Sequence, residues 1–569
     1  MKYTGISIGP IIKTLAMARK PRELWAASYL FSHLMKCIYD EAKKEIKKDK
    51  NSIIISPADP VEVFKEEAPK EENYKVGIYP DRLYVKGEFD ARIVLENSYN
   101  AFFCSLYKEY LNKIDLTYFN LMSATCEASK DSQAIKILNQ KLDVVELCNF
   151  ANEGDSSAAI YSYEVRAKTL IIKNFANEGD SSAAIYSFIS DWKKSPLFQK
   201  VEENNQSFPY TVNTLAEIAT AELRMINQKS WDEARKYAKN REKDNEVNKK
   251  KDGSKSLPFE DYFYKSLGEK ELFKDKIKSH HRYICVVQAD GDNVGKTVSH
   301  DNLGNEGLKT ISEALVNFGN KAAGLISEYG GLPIYAGGDD LLFIAPVIGK
   351  DHQNIFDLLD KIENEAFKGV HDAVDGLTDD NGKKIESSLS FGVSITYYKY
   401  PLYEALESAR HLLFDIAKKV RGKKAIAWSF RKHSGGTFDV SFTRKKNQET
   451  EDAKESEESE NKSLSEVFKE LISVSKDNDM VSAVAHKVRQ EDTLVGMVMD
   501  SYDENHKERL DSLFENILGF DASKNAYYRV VKELMPILYK AVGKTKFSEA
   551  LYSILRTDKF IYGEELRDE

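Results

Sequence analysis

Residues 333–346 read PIYAGGDDLLFIAP: two apolar runs, Leu332–Ala336 and Leu341–Ala345, separated by Gly337-Gly338-Asp339-Asp340. Short apolar runs on either side of a Gly/Asp cluster predict two strands and a tight turn. The glycines let the turn close and let backbone approach a ligand. The two carboxylates then stand at a strand tip, where a hard cation such as Mg²⁺ finds oxygen ligands. An ordinary surface turn has the same composition, since Gly and Asp close hairpins without any chemistry. The neighbouring sequence decides between the two.

Upstream, His281–Ala289 (HRYICVVQA) is a buried strand that ends in Asp290-Gly291-Asp292-Asn293, and Gly307–Tyr329 has helical periodicity. Downstream, Ser388–Thr396 (SLSFGVSIT) is another apolar strand and Pro401–Val420 a helix. The order strand, helix, hairpin, helix, strand, helix predicts a mixed sheet with helices on one face, of the ferredoxin-like kind. In that arrangement the end of the first strand lies beside the hairpin, so Asp290 faces Asp339 or Asp340 across one cleft. Paired carboxylates holding two divalent ions are what phosphoryl and nucleotidyl transfer requires. Asp292 has a second reading, as a helix N-cap. The run DGDNVGKT (Asp290–Thr297) also resembles a phosphate loop, but that pattern needs glycine where Asp290 stands. Lys296 remains a candidate phosphate contact. So does Lys418, near the end of the last helix, as a point charge.

The whole chain has 569 residues, several times the ~150 of a typical domain. With 42% apolar and 30% charged residues it has material for sizeable cores. Its formal net charge of −9 excludes a global basic field toward nucleic acid and leaves room for a local basic surface. Five scattered cysteines without a CxxC pair give neither a zinc ribbon nor a disulfide framework and fit a reducing cytoplasm. No run reaches the ~18 apolar residues of a membrane span. Residues 1–120 read as an α/β unit, with strands at Tyr3–Ile8, Ser52–Ser56 and Arg82–Val85 and helices over about 11–47 and 91–113. Residues 121–280 read as mainly helical, with NFANEGDSSAAIYS repeated at Asn149–Ser162 and Asn174–Ser187 and a charged, loop-like run at Lys239–Lys255. After the 281–440 unit come a charged linker, 441–462, and an amphipathic helical bundle, 463–569.

The order DGD, GGDD, SFGVSI and ARHLLFDIAKK resembles the nucleotide cyclase domain that carries a Gly-Gly-Asp-Glu-Phe-type hairpin. The opening ISIGPIIKTLAMARKPRELWAASYLFSHLM, together with His433–Gly436 (HSGG), is similar to the large Palm subunit of type III-B CRISPR effector (Cmr) complexes. The resemblance covers the first unit and 281–436, and matches the rest by position. It implies an α+β protein with two ferredoxin-like Palm domains, the first degenerate, a helical middle domain and a C-terminal helical bundle. It further implies a target-RNA-activated nucleotidyltransferase that makes a second messenger from ATP. Asp290, Asp339 and Asp340 would ligate Mg²⁺ or Mn²⁺, Gly337, Gly338 and Gly291 would border the triphosphate, and Lys418 and Lys296 would contact phosphate. The implied partners are the other effector subunits, guide RNA and target RNA, in the cytoplasm. Two departures are visible: the Palm strand begins at residue 3, where many members carry an HD nuclease first, and a cysteine zinc site cannot form. His300-Asp301 and His371-Asp372 lack companion ligands and read as surface pairs. Both cyclic oligoadenylate and AMP joined to S-adenosylmethionine fit as product. The competing expectations are a catalytically silent structural subunit and a free-standing cyclase.

Overall fold

A computed structural model describes the chain apart from residues 50, 61–62, 64–75, 106–117, 152–169, 173–184, 187–188, 191–208, 210, 253–256, 301–302, 376, 378–383, 445–461, 476–480, 501–505, 519–524 and 563–569. Most of the internal repeat and nearly all of the charged linker lie outside the described residues. Among the described residues, no helix is long and apolar enough to cross a membrane.

Two sheets organise the molecule. The first contains β1 (Lys2–Gly9), β2 (Ile53–Ser56), β3 (Arg82–Lys86), β4 (Asn120–Glu127) and β5 (Leu170–Ile172), in the order β2-β3-β1-β4-β5. The second contains β6 (Tyr283–Asp292), β7 (Leu332–Gly337), β8 (Asp340–Pro346), β9 (Ser388–Tyr397), β10 (Ala425–Arg431) and β11 (Thr437–Thr443), in the order β11-β10-β9-β6-β8-β7. Each begins as strand, helix, two strands, helix, strand, and the four core strands lie in the same spatial order, β4-β1-β3-β2 and β9-β6-β8-β7. The ferredoxin-like expectation therefore holds for both units. β10 then joins β9 in parallel, and β11 turns back on β10.

Three sequence expectations are corrected here. β4 pairs along the whole of β1, from Lys2↔Glu127 to Gly9↔Asn120, so the first unit does not end at residue 120. The helix expected over 11–47 is two helices, Ile11–Leu15 and Pro21–Ile46, because Pro21 lacks the amide a helix interior needs and sits at the first turn instead. Most of Lys239–Lys255 is helical, within Gln228–Asp252, since Lys, Arg and Glu are good helix formers whatever their charge.

Close backbone contacts set the helices on the second sheet. A Cβ on Gly392 of β9 would lie 2.2 Å from the Ala409 carbonyl oxygen and 2.5 Å from the Leu413 nitrogen. Glycine there lets the helix Leu402–His411, and the π-helical stretch Leu412–Val420 that continues it, lie directly on the strand. Gly319, in the helix Asn305–Tyr329, approaches the Ala336 carbonyl of β7 in the same way. The C-terminal helices cover β10: Trp428 stacks on Phe468 with ring centroids 5.1 Å apart, and its indole N–H donates to Thr557 Oγ1 at 3.1 Å. Phe560 stacks on Phe430 at 4.1 Å. Buried aromatics with satisfied polar tips anchor this interface and make the bundle part of one core.

Candidate active site

The turn between β7 and β8 contains only Gly338 and Asp339, since Gly337 and Asp340 pair across the ladder. Gly338 has φ +66°, at the first central position of a two-residue hairpin, where such φ favours glycine. A Cβ on Gly337 would lie 2.5 Å from the Tyr335 hydroxyl, so a side chain there would displace the Tyr335 ring.

The antiparallel register of β6 and β8 sets Asp290 directly opposite Asp340. Gly291 N–H donates to the Asp339 carbonyl at 3.1 Å, fastening the turn to β6. Like charges directly opposed on a sheet destabilise it, and this pair has Asp339 beside it as well. Burial, then the Asp81 and Asp292 carboxylates, raise the Asp339 carboxyl to about 6. Burial, Asp339 and Asp81 push Asp340 well above the usual carboxylate range. Such a cluster favours a cation.

Asp292 is fully buried, and its Oδ2 accepts from Ser388 Oγ at 2.7 Å, Ser390 Oγ at 2.8 Å and Lys424 N–H at 2.8 Å. It is a strap between β6, β9 and the start of β10, so the N-cap reading fails; Asn293 holds the cap position, with φ +65°. Asp292 Oδ1 is buried without a hydrogen-bond partner, and its nearest cation is Lys418 Nζ at 3.8 Å. A buried carboxylate oxygen without a donor is costly unless a cation faces it. The Lys418 ammonium also contacts Asp290 Oδ2 directly and donates to the Gly291 carbonyl at 3.1 Å. Burial and nearby Lys423 push the Lys418 amine down to about 7. The donor set is all oxygen, which suits Mg²⁺ or Mn²⁺ rather than a soft metal. In this structure the carboxylate oxygens of Asp290, Asp339 and Asp340 are not all within 4.8 Å of one another, and Asp290 is held by Lys418 instead, so a shared ion would require these side chains to draw together.

The structure thus brings together Asp290, Gly291, Gly337, Gly338, Asp339, Asp340 and Lys418. Lys296 is not among them: it is exposed on the short helix Val294–Val298 and makes no hydrogen bond or ion pair among the described residues. The His433–Gly436 segment forms the β10–β11 turn, at the opposite end of the sheet from the carboxylates. His371 is held by Ser387 Oγ at 3.1 Å and Glu363 at 3.6 Å, while Asp301 lies outside the described residues.

Asp81, from the first unit, was not legible in the sequence. The segment before it runs against the hairpin: Ala336 N–H donates to the Gly77 carbonyl at 3.0 Å, and Pro80 lies beside Gly338. Burial and neighbouring Glu146 raise the Asp81 carboxyl, against the pull of Arg82. A second cluster joins the helical region to the second unit. Glu222 accepts from His281 Nε2 at 2.9 Å and His280 Nε2 at 3.3 Å, and pairs with His352 Nδ1 at 2.5 Å. Glu222, His280 and His281 are close enough to share a metal ion. However, His281 Nδ1 accepts from Lys278 N–H at 2.9 Å, which leaves the proton of the neutral ring on Nε2 and turns that nitrogen into a donor to Glu222. The cluster is a hydrogen-bonded tie.

Comparison with known proteins bears on the two sheet-containing units. Residues 283–427 match the family described as Cas10/Cmr2, second palm domain, and residues 3–103 match CRISPR-associated protein Cmr2, N-terminal. The Cmr subunit Cmr2 of the CRISPR system of Pyrococcus furiosus is 32% identical over 182 residues, covering 28% of this chain. That match spans 19% of the Pyrococcus protein's length. Among solved structures, type III-B Cmr-beta in its apo state is similar with a TM-score of 0.51 at 13% identity, over 99% of this chain and 82% of that one. Type III-B Cmr-beta bound to cognate target RNA gives the same TM-score and identity, over 99% and 83%. At this identity the likeness speaks for the fold. The opening strand and helix thus match one Cmr2 domain and the carboxylate-bearing sheet matches the Cas10/Cmr2 second palm domain, and in these two regions the chain is similar to that family.

Proposed function

We propose that this chain is the nucleotidyltransferase subunit of a cytoplasmic type III-B effector complex, making an adenylate second messenger from ATP when the complex holds target RNA. The observation that carries this reading is the cross-strand pair Asp290 and Asp340, with Asp339 at the adjoining turn, which gathers three carboxylates at one end of the sheet. Two-metal chemistry with Mg²⁺ or Mn²⁺ would lower the charge of the triphosphate and activate the attacking hydroxyl. The chain's own part is positioning. Asp290, Asp339 and Asp340 would hold the cation side of the cleft, Gly337 and Gly338 would border the triphosphate through the tight turn they allow, and Lys418 would offer a positive charge to phosphate. The solved relative bound to cognate target RNA supports the partner reading: effector subunits, guide RNA and target RNA.

Both cyclic oligoadenylate and AMP joined to S-adenosylmethionine require this cleft. Purified complex is incubated with target RNA, ATP and Mn²⁺, with and without S-adenosylmethionine, and products are read by mass spectrometry. The expected result is an adenylate product that disappears when Asp339 and Asp340 are both replaced by Ala, with assembly and RNA binding retained. Product from the double variant at the parent rate would remove the turn from catalysis. A parent complex that assembles, binds RNA and forms no product would favour the silent structural subunit.

A further inference from the structure

Lys418 stands in an unusual place for a surface-helix lysine. Its ammonium touches Asp290 Oδ2, donates to the Gly291 carbonyl at 3.1 Å and faces the orphaned Asp292 Oδ1 at 3.8 Å. These are three oxygens of one strand end, two of them carboxylate, and the side chain is only 16% exposed. Several features aim it there. Gly392 lets the helix ride on β9, and the π-helical stretch Leu412–Val420 follows that contact. The turn after it has three successive positive φ values, Gly422 at 79°, Lys423 at 77° and Lys424 at 46°. Two of those are not glycine, a strained arrangement that persists where the surroundings fix it. Here the fixing contacts are Lys424 N–H on Asp292 Oδ2 at 2.8 Å and Lys423 Nζ on Asn293 Oδ1 at 3.0 Å.

We propose that Lys418 is a tethered counter-cation that competes with divalent metal for Asp290, and that it moves from the carboxylate to phosphate when metal and nucleotide enter together. This rests on the metal reading of the carboxylate turn given above. The physical argument is occupancy: a hard divalent ion binds carboxylate oxygen at about 2.0–2.6 Å, so it and the ammonium cannot both hold Asp290 Oδ2. The competition makes metal binding weak until a polyphosphate offers the lysine another partner. Metal and nucleotide then bind with positive coupling, each raising the affinity of the other.

The test is Mn²⁺ binding to the full chain without nucleotide, by calorimetry or by the electron paramagnetic resonance signal of free ion. Lys418→Met is expected to tighten Mn²⁺ about tenfold, and Lys418→Gln, which keeps a donor for the Gly291 carbonyl, to do the same. Lys419→Met is the control, because Lys419 is exposed and pairs with Asp415 on its own helix. A non-hydrolysable ATP analogue should strengthen Mn²⁺ binding in the parent more than in either Lys418 variant. Unchanged or weaker Mn²⁺ binding in both variants overturns the proposal. A merely structural lysine would loosen the site, so tightening separates the two roles. Asp339→Asn with Asp340→Asn, measured alongside, keeps the outcomes distinct. If that pair weakens Mn²⁺ while the Lys418 variants change nothing, the counter-cation fails and the metal reading stands. If that pair leaves Mn²⁺ binding untouched, the metal reading itself fails and takes the proposal with it.

Discussion

Gly291→Ala is the most informative single substitution in this cleft. A methyl group there would lie 2.7 Å from Asp339 Cβ, 2.7 Å from Val294 Cγ2 and 2.8 Å from Asp339 Oδ2. Carbon atoms in comfortable contact sit about 3.5–4.0 Å apart, so the methyl is about 1 Å short of room on two sides. The turn cannot retreat freely, because Gly291 N–H holds the Asp339 carbonyl at 3.1 Å. Overpacking of this kind costs about 1–3 kcal/mol of stability. At roughly 2–4 °C per kcal/mol for a unit of this size, the transition should fall by several degrees. Chemistry should suffer more, since a displacement of about 1 Å in a reacting constellation costs on the order of 10²-fold in rate. The assay is adenylate product formed by the assembled complex with target RNA, ATP and Mn²⁺, run beside a thermal melt. Gly295→Ala is the control, because nothing lies within 4 Å of a Cβ built there. A Gly291→Ala complex that keeps its melting temperature and more than about a third of the parent rate would refute the packing argument, whose full penalty is set at about 10²-fold.

Three further outcomes are expected. Asp339→Ala with Asp340→Ala should melt no lower than the parent in chelator, because removing two crowded carboxylates relieves repulsion; a large drop would show the turn to be structural. Asp339 is raised to about 6 by burial and by Asp81, so below that value the folded chain binds more protons than the unfolded one. The Asp339 contribution to stability in chelator should therefore fall as pH rises from about 4 to about 6, so Asp339→Asn should gain stability relative to the parent across that range in paired melts. Glu222→Ala should strand the two buried imidazoles, His280 and His281, that face this carboxylate and destabilise the chain by about 1–3 kcal/mol, read as a lower urea midpoint; an unchanged midpoint would dismiss the tie.

The carboxylate turn was legible because glycine and aspartate punctuate two apolar runs, and because the register of a short hairpin is fixed by its turn. Asp290 followed from topology alone: the strand order puts its end beside the turn. What escaped had physical reasons. β4 is buried on both faces at most positions, so NLMSATCE shows no alternation to mark it as a strand. Asp81 sits between Pro80 and Arg82 with no motif around it, and only the packing of one unit on the other reveals its place. The π-helical stretch that contains Lys418 departs from the 3.6-residue period on which helical reading depends, so the lysine's aim had no periodic signature. Lys296 shows the opposite error, a motif-like GKT whose lysine points to solvent.

The bridge between Gly77 and Tyr335 has a consequence for how this protein is free to change over time. Gly77 fits where a Cβ would lie 2.8 Å from Ser32 Cβ, while its carbonyl holds Ala336 and Pro80 abuts Gly338. Neither Gly77 nor Pro80 has any chemistry to offer. Yet a side chain on Gly77 would press on Ser32 and shift the carbonyl that holds Ala336, two residues before the turn, and Pro80 is in van der Waals reach of the turn itself. Mutational drift in the first unit is therefore tied to the second: across descendants of this sequence, Gly77 and Pro80 should stay fixed or change together with Tyr335 and Gly338. Residues that a tally of ligands would leave out inherit the selection acting on Asp339 and Asp340.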